Sequence, residues 1–298
     1  MFKKRETLLQ NIAFMAVVTA INTIAMALAA LFPIAGVFIF ILLPFFSAMV
    51  ANICKWRYYP IYAFATIGVA LAATFWNTAS TVFYLIPSII TGFLFTLPSR
   101  LKLKDIYTIF LASIAQCGLT FLLIPIINGI YGIDIIEQGL RLFKLSTTPN
   151  IHVIVPSIIY LLSLAQIILS YIVLSNEIKK FNFDSNGNKG DACLKIIGLI
   201  ISLLVIPFVY FASHVSYLFM LIALFLTIYE FIEIIIAKKK GLIIFFSFAL
   251  ISGFVLVFAL YNVIIKPYAL LLINTSNILI FSILLINLYN VNRAKKLC

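Results

Sequence analysis

An all-α integral membrane protein with about ten transmembrane helices is the fold this chain predicts, and three observations predict it. Of its 298 residues, 64% are hydrophobic and only 10% charged. The mean hydropathy is +1.18, whereas ordinary soluble domains are about 45–50% apolar. Apolar runs recur along the whole chain and approach or reach the roughly 20 residues that cross a bilayer. Lys and Arg cluster between those runs in alternation. Helices satisfy their own backbone groups where water is absent, so the spans are helical.

The spans are predicted near residues 9–32, 36–53, 59–76, 80–97, 106–128, 151–175, 193–212, 215–236, 242–264 and 268–289. With the start of the chain inside, the inner segments hold Lys3, Lys4, Arg5, Lys55, Arg57, Arg100, Lys102, Lys104, Lys179, Lys180, Lys189 and Lys195. They also hold Lys238, Lys239, Lys240, Arg293, Lys295 and Lys296, while the outer segments hold only Arg141, Lys144 and Lys266. That asymmetry follows the positive-inside rule, and it puts both termini in the cytoplasm. An odd number of spans would break it. Helices two to four carry the shortest runs, interrupted by Pro44 and Pro87, and a pair of them is either kinked or partly re-entrant.

The first run, Leu8 to Leu31, follows Lys3, Lys4 and Arg5 as a signal peptide would, but it is too long for a signal h-region and reads as a retained helix. The net charge of +12 is spread over loops, without a basic patch interleaved with aromatics, which argues against nucleic acid. Cys54, Cys117, Cys193 and Cys298 form no CxxC pair, and no disulfide or zinc site is indicated. Cys298, as the last residue, cannot open a prenylation box.

A polar stretch within residues 176–192 is the best candidate boundary, dividing a six-helix unit (1–175) from a four-helix region with a basic tail (193–298). On the other side of the membrane, Ile135 to Leu145 carries Glu137 and Arg141 four apart among apolar residues. It reads either as a short interfacial helix or as a loop with helical character.

Small residues recur every three or four positions in the first helix, at Ala13, Ala16, Ala20, Thr23, Ala27 and Ala30. They form one face on which another helix backbone can approach closely. Its partner is either a helix of the same chain or a separate membrane subunit. Within the spans, Asn22, Gln116, Gln166, Asn274 and Asn277 are candidates for a polar interior site or for interhelical hydrogen bonds. Glu230 and Glu233 share a face near Lys238–Lys240, which suits a proton relay or, more simply, pairing with a cation or a neighbouring helix.

His152 and His214 are isolated and suit hydrogen bonding better than metal binding. Trp76, Asn77, Thr78, Tyr84, Asn128, Tyr131 and Asn150 collect at the outer edge. An aromatic belt accounts for Trp76 and Tyr84, and a small-molecule pocket would account for the amides as well. The sequence contains no GxxxxGK[ST], HExxH or GxSxG. A membrane enzyme is therefore a distant reading, and no cofactor or metal is expected.

The segment Asn11 to Ala20, with Ala16-Val-Val-Thr-Ala20, resembles the AxxxA face on the first helix of substrate-binding S components of energy-coupling factor (ECF) transporters. Phe40-Ile-Leu-Leu-Pro-Phe-Phe46 followed by Lys55-Trp-Arg-Tyr-Tyr-Pro60 resembles the YybS-like membrane proteins of bacteria, which are similar to S components over their N-terminal part. The resemblance covers about residues 8–175. It implies a bacterial cell-membrane location and a six-helix unit with an outward-opening ligand pocket. It also implies an alanine face, at Ala16 and Ala20, that contacts a coupling subunit carrying two ATPases. S components usually stop at six spans, so residues 193–289 depart from the pattern.

Two functions follow. One is capture of a small nutrient, with Asn22, Trp76, Asn77, Tyr84, Gln116, Asn128, Tyr131, Arg141, Asn150 and Gln166 as candidate contacts and Ala13, Ala16, Ala20 and Thr23 as the docking face. The other is a non-transport membrane scaffold or assembly factor that uses the same face and the basic loops.

Overall fold

The structure is a computed structural model that describes residues 5–97, 101, 103–132, 134–142, 151–180, 191–260, 268 and 270–297. Among them every element of regular structure is helical. The chain divides into two compact units, Met1–Lys144 with Ile159–Lys189, and Leu145–Ile158 with Gly190–Cys298.

The first unit begins with α1 (Leu8–Leu31), whose N-terminus is capped by the Thr7 hydroxyl accepting from the backbone N–H of Gln10. Pro33 then opens α2 (Pro33–Ile53), a position where its missing N–H costs nothing. A 3-10 turn at Trp56–Tyr58 leads into α3 (Tyr59–Ala73). The backbone next passes through a 3-10 turn at Phe75–Asn77, one helical turn at Thr78–Ser80 and a π-helical turn at Thr81–Leu85 before α4 (Ile86–Leu94). Pro87 accounts for the π-helical turn, because a proline removes one ladder bond and crowds the preceding turn.

Helix α5 (Asp105–Tyr131) ends at Gly132, whose φ of 64° is left-handed and whose N–H donates to the Asn128 carbonyl. The short α6 (Ile135–Leu142) follows, a helix where the sequence left a loop open as the alternative. Helix α7 (Ile151–Lys180) contributes Ile151 to Ile158 to the second unit and the rest to the first.

In the first unit α1 packs on α2 and α3, α2 on α4, and α4 on α5. Met26, Leu43, Leu85 and Tyr62 fill the centre, and Ile167 and Leu174 of α7 pack with Ala48 and Ala112. The approach of α4 to α2 is close because of Gly92. A Cβ there would stand 2.4 Å from the Ser47 Cβ and 2.7 Å from the Pro44 carbonyl oxygen. Pro44 has its own compensation. Lacking an N–H, it cannot bond the carbonyl four residues back, and the Gln166 amide donates to that Phe40 oxygen at 3.1 Å. Ser170 donates to the next carbonyl, Ile41, at 2.7 Å.

The second unit contains α8 (Asp191–Phe211), α9 (Ser213–Ile236), α10 (Lys240–Leu260) and α11 (Ile273–Leu297). One residue, Ala212, joins α8 to α9, and they pair antiparallel, with the Ser216 hydroxyl donating to the Val205 carbonyl. Helix α11 packs on α8, α9 and α10. Gly198 lets α8 approach Phe281, whose ring carbons lie 2.3–2.7 Å from where a Cβ would stand.

Seven helices among the described residues are long and apolar enough to cross a membrane: Leu8–Leu31, Asp105–Tyr131, Val153–Ser175, Asp191–Phe211, Ser213–Ile236, Lys240–Leu260 and Leu270–Asn290. The chain has the form of a multi-pass membrane protein. The predicted helices two to four are the three outside this set; Phe38–Ile53 and Thr81–Leu94 are shorter apolar helices, and α3 has 15 residues. They include the segments interrupted by Pro44 and Pro87.

Candidate functional site

Helix α1 has two faces of different chemistry. Asn11, Met15, Val18, Asn22, Met26 and Ala29, spaced by three and four, are buried against α2 and α3. Ala13, Ala16 and Ala20 are exposed, and Thr23, Ala27 and Ala30 are half-buried. The Thr23 hydroxyl donates to the Thr19 carbonyl within the helix at 2.9 Å, so it presents little polarity. Among the described residues no helix covers Ala13, Ala16 and Ala20, whereas the other half of the face is partly covered.

Behind α1 lies a buried polar centre. The Asn22 amide donates to the Tyr62 hydroxyl at 2.7 Å, and Ser47 shares that hydroxyl at 3.2 Å. Thr19 and Thr66 pair at 2.8 Å, and the Tyr59 hydroxyl donates to the Ile89 carbonyl at 2.6 Å. Asn22 and Thr66 are fully buried, as is the Tyr62 ring. The Asn22 Oδ1 has no hydrogen-bond partner among the described residues, nor do the Gln116 Oε1, the Gln166 Oε1 and the Tyr160 hydroxyl. Tyr62, Ser47 and Thr66 were not singled out in the sequence. The three- and four-residue spacing of Tyr59, Tyr62 and Thr66 in an apolar run was the available signal.

Thr78 and Tyr131 meet at the opposite end of α3 from Trp56. The Tyr131 hydroxyl accepts from the Ala79 N–H at 2.9 Å and pairs with Thr78 at 2.8 Å. One aromatic thus ties the end of α5 to the irregular segment 78–79. The Asn128 side chain accepts from the Ile135 N–H at 3.2 Å and fixes the start of α6. Trp76 is half exposed against Phe75, and Tyr84 packs edge-on against Phe40 with ring centroids 5.1 Å apart. Arg141 pairs with Glu137 at 3.1 Å on the exposed face of α6; such a surface pair contributes little energy.

The structure therefore unites Thr78, Asn128 and Tyr131 in one rim. Among the described residues no hydrogen bond links Asn22, Gln116 or Gln166 to it. The Gln166 amide N–H is engaged at the Pro44 break. Asn150 lies outside the described residues, as does the His152 side chain.

The second unit buries charge. Lys195, counted among the inner cations, is buried near the start of α8, 8% exposed, between Asp191 and Glu230. Its ammonium lies 3.7 Å from Glu230 and hydrogen-bonds Asp191 four residues back on α8. The reason is long-range: Glu230 is 3% exposed on α9, and a carboxylate buried there requires a counter-charge. Glu233 accepts from the Tyr229 hydroxyl at 3.1 Å.

Asn274 donates to the Ser202 carbonyl at 2.7 Å, and Thr227 donates to the Asn277 side chain at 3.0 Å, so both asparagines bond between helices. His214 is exposed at the start of α9. Among the described residues no three His, Cys, Asp or Glu side chains converge as metal ligands. Compared with known proteins, the chain matches no family model, no curated protein and no solved structure.

Proposed function

We propose that the chain is a substrate-capture subunit of an ECF-type transporter in a bacterial cell membrane. In this reading it has about ten spans and both termini in the cytoplasm, and a separate coupling subunit with two ATPases drives it. The observation that carries the reading is the division of α1 into a buried Asn/Met face and an exposed alanine face, Ala13, Ala16 and Ala20. Small side chains in an exposed helical row allow a partner helix to approach closely, which is how membrane helices associate without a hydrophobic gradient.

The rim of Trp76, Thr78, Asn128 and Tyr131 is the place for substrate on the outer side. The Arg141 cation of α6 is engaged by Glu137. That chemistry suits a small neutral or weakly polar nutrient rather than a strongly charged one. The second unit is more than capture requires, which favours the scaffold as the competing reading.

Co-purification in mild detergent with the host's coupling subunit and ATPases tests the proposal, comparing wild type with Ala16→Leu/Ala20→Leu. The expected result is a complex from wild type that the double variant loses while staying monodisperse. Folded wild type that captures none of these subunits leaves the scaffold reading in its place.

A further inference from the structure

A cavity of about 390 Å³ opens where α1 begins and α2 ends, lined by Arg5, Glu6, Asn52, Ile53, Cys54, Lys55 and Trp56. Two cations meet in it, and one buried side chain holds both in place. Asn11, fully buried, donates to the Arg5 carbonyl at 3.2 Å and accepts the Lys55 backbone N–H at 2.9 Å. The Arg5 N–H donates to the Ile53 carbonyl at 3.0 Å, closing the loop onto the end of α2. The guanidinium lies 5.7 Å from the centroid of the Phe14 ring, and its Nε has no hydrogen-bond partner among the described residues.

Neither Arg5 nor Lys55 is in an ion pair among those residues. A half-buried guanidinium without a counter-ion is unfavourable, and an anion in the cavity would relieve it. We propose that this cavity binds one phosphate group, and that its source is the headgroup of an anionic phospholipid.

Charge and place select that ligand. Two cations against the Glu6 carboxylate leave one net positive charge in the lining, which matches a monoanionic phosphodiester better than a polyphosphate. The neighbouring apolar surface, Leu8, Leu9 and the partly exposed Trp56, is where acyl chains and an interfacial indole belong. On the topology proposed above, this end meets the cytoplasmic leaflet, whose anionic lipids attract basic segments beside a span. The binding itself does not depend on whether the chain captures a nutrient.

Native mass spectrometry of the full chain in neutral detergent tests this, with titration by phosphatidylglycerol, phosphatidylcholine or inorganic phosphate. The expected result is one phosphatidylglycerol adduct at concentrations where the other two give none, with slower alkylation of Cys54 in the loaded protein. Arg5→Gln and Lys55→Gln should each weaken the adduct about fivefold, since a basic residue near such a headgroup contributes about that factor. Lys239→Gln, in a different loop, should not. Equal binding of phosphatidylcholine, or equal loss from Lys239→Gln and Lys55→Gln, would overturn the site; inorganic phosphate binding as tightly would overturn the lipid as its source.

Discussion

The two units solve the cost of polar groups in an apolar setting differently. The first buries neutral groups, Asn22, Ser47, Tyr62 and Thr66, each bonded to a hydroxyl or an amide. The second buries neutral groups too, Asn274 and Asn277 among them, but adds ions, with Lys195 between Asp191 and Glu230. Neutral partners can be lost singly at modest cost, whereas one half of a buried ion pair leaves an uncompensated charge. The second unit is therefore the one in which removal of a single charge should cost most.

That contrast breaks most sharply at Lys195. Lys195→Met should destabilise the protein by about 3–5 kcal/mol, read as a loss of thermal stability in detergent, because the buried Glu230 carboxylate loses its neighbouring cation. Lys195→Met/Glu230→Leu should recover most of the loss, and if it does not, the pair is not what holds α8 to α9. Next in size is Gly92→Leu. Its side chain would meet the Pro44 carbonyl and the Ala48 backbone nitrogen of α2, and the cost should be about 1–3 kcal/mol by the same measurement.

Tyr62→Phe should cost about 1–2 kcal/mol, since it strands the Asn22 amide. A loss as large as that of Lys195→Met would erase the distinction between the units. The smallest effect is kinetic. Burial pushes the Cys54 thiol up to about 11, with Arg5 opposing the shift. The thiolate is the reactive form, so alkylation should be slow at neutral pH and rise about tenfold per pH unit until pH approaches that value. Stability moves the opposite way: the neutral thiol is favoured in the fold, so its contribution is full below pH 9.0 and is lost as pH rises from there through about 11.

Much of the fold was legible because hydropathy acts locally. The helix expected over 106–128 is Asp105–Tyr131, and the one over 215–236 is Ser213–Ile236. The π-turn before Pro87 was not legible, since a proline marks a break without saying which backbone geometry absorbs it. The burial of Lys195 was not legible, because a charge near a helix end reads as exposed until its partner, 35 residues later on α9, is known. The small-residue face of α1 was legible from spacing alone. Its direction was not, because that depends on which side α2 and α3 cover. Gln166 read as either a ligand contact or an interhelical hydrogen bond, and the position of Pro44 on a distant helix gives its amide the second task.

The central claim is that the exposed alanines of α1 seat a second membrane protein. Ala16→Cys and Ala20→Cys, placed singly in a background without native cysteines, keep that face small and give it a chemical handle. Treatment of host membranes with a short thiol-to-amine cross-linker should join both positions to one membrane subunit, while Ile200→Cys on the exposed face of α8 gives no such product. Equal yields from Ile200 and Ala16, or none from the alanine positions, would contradict the account.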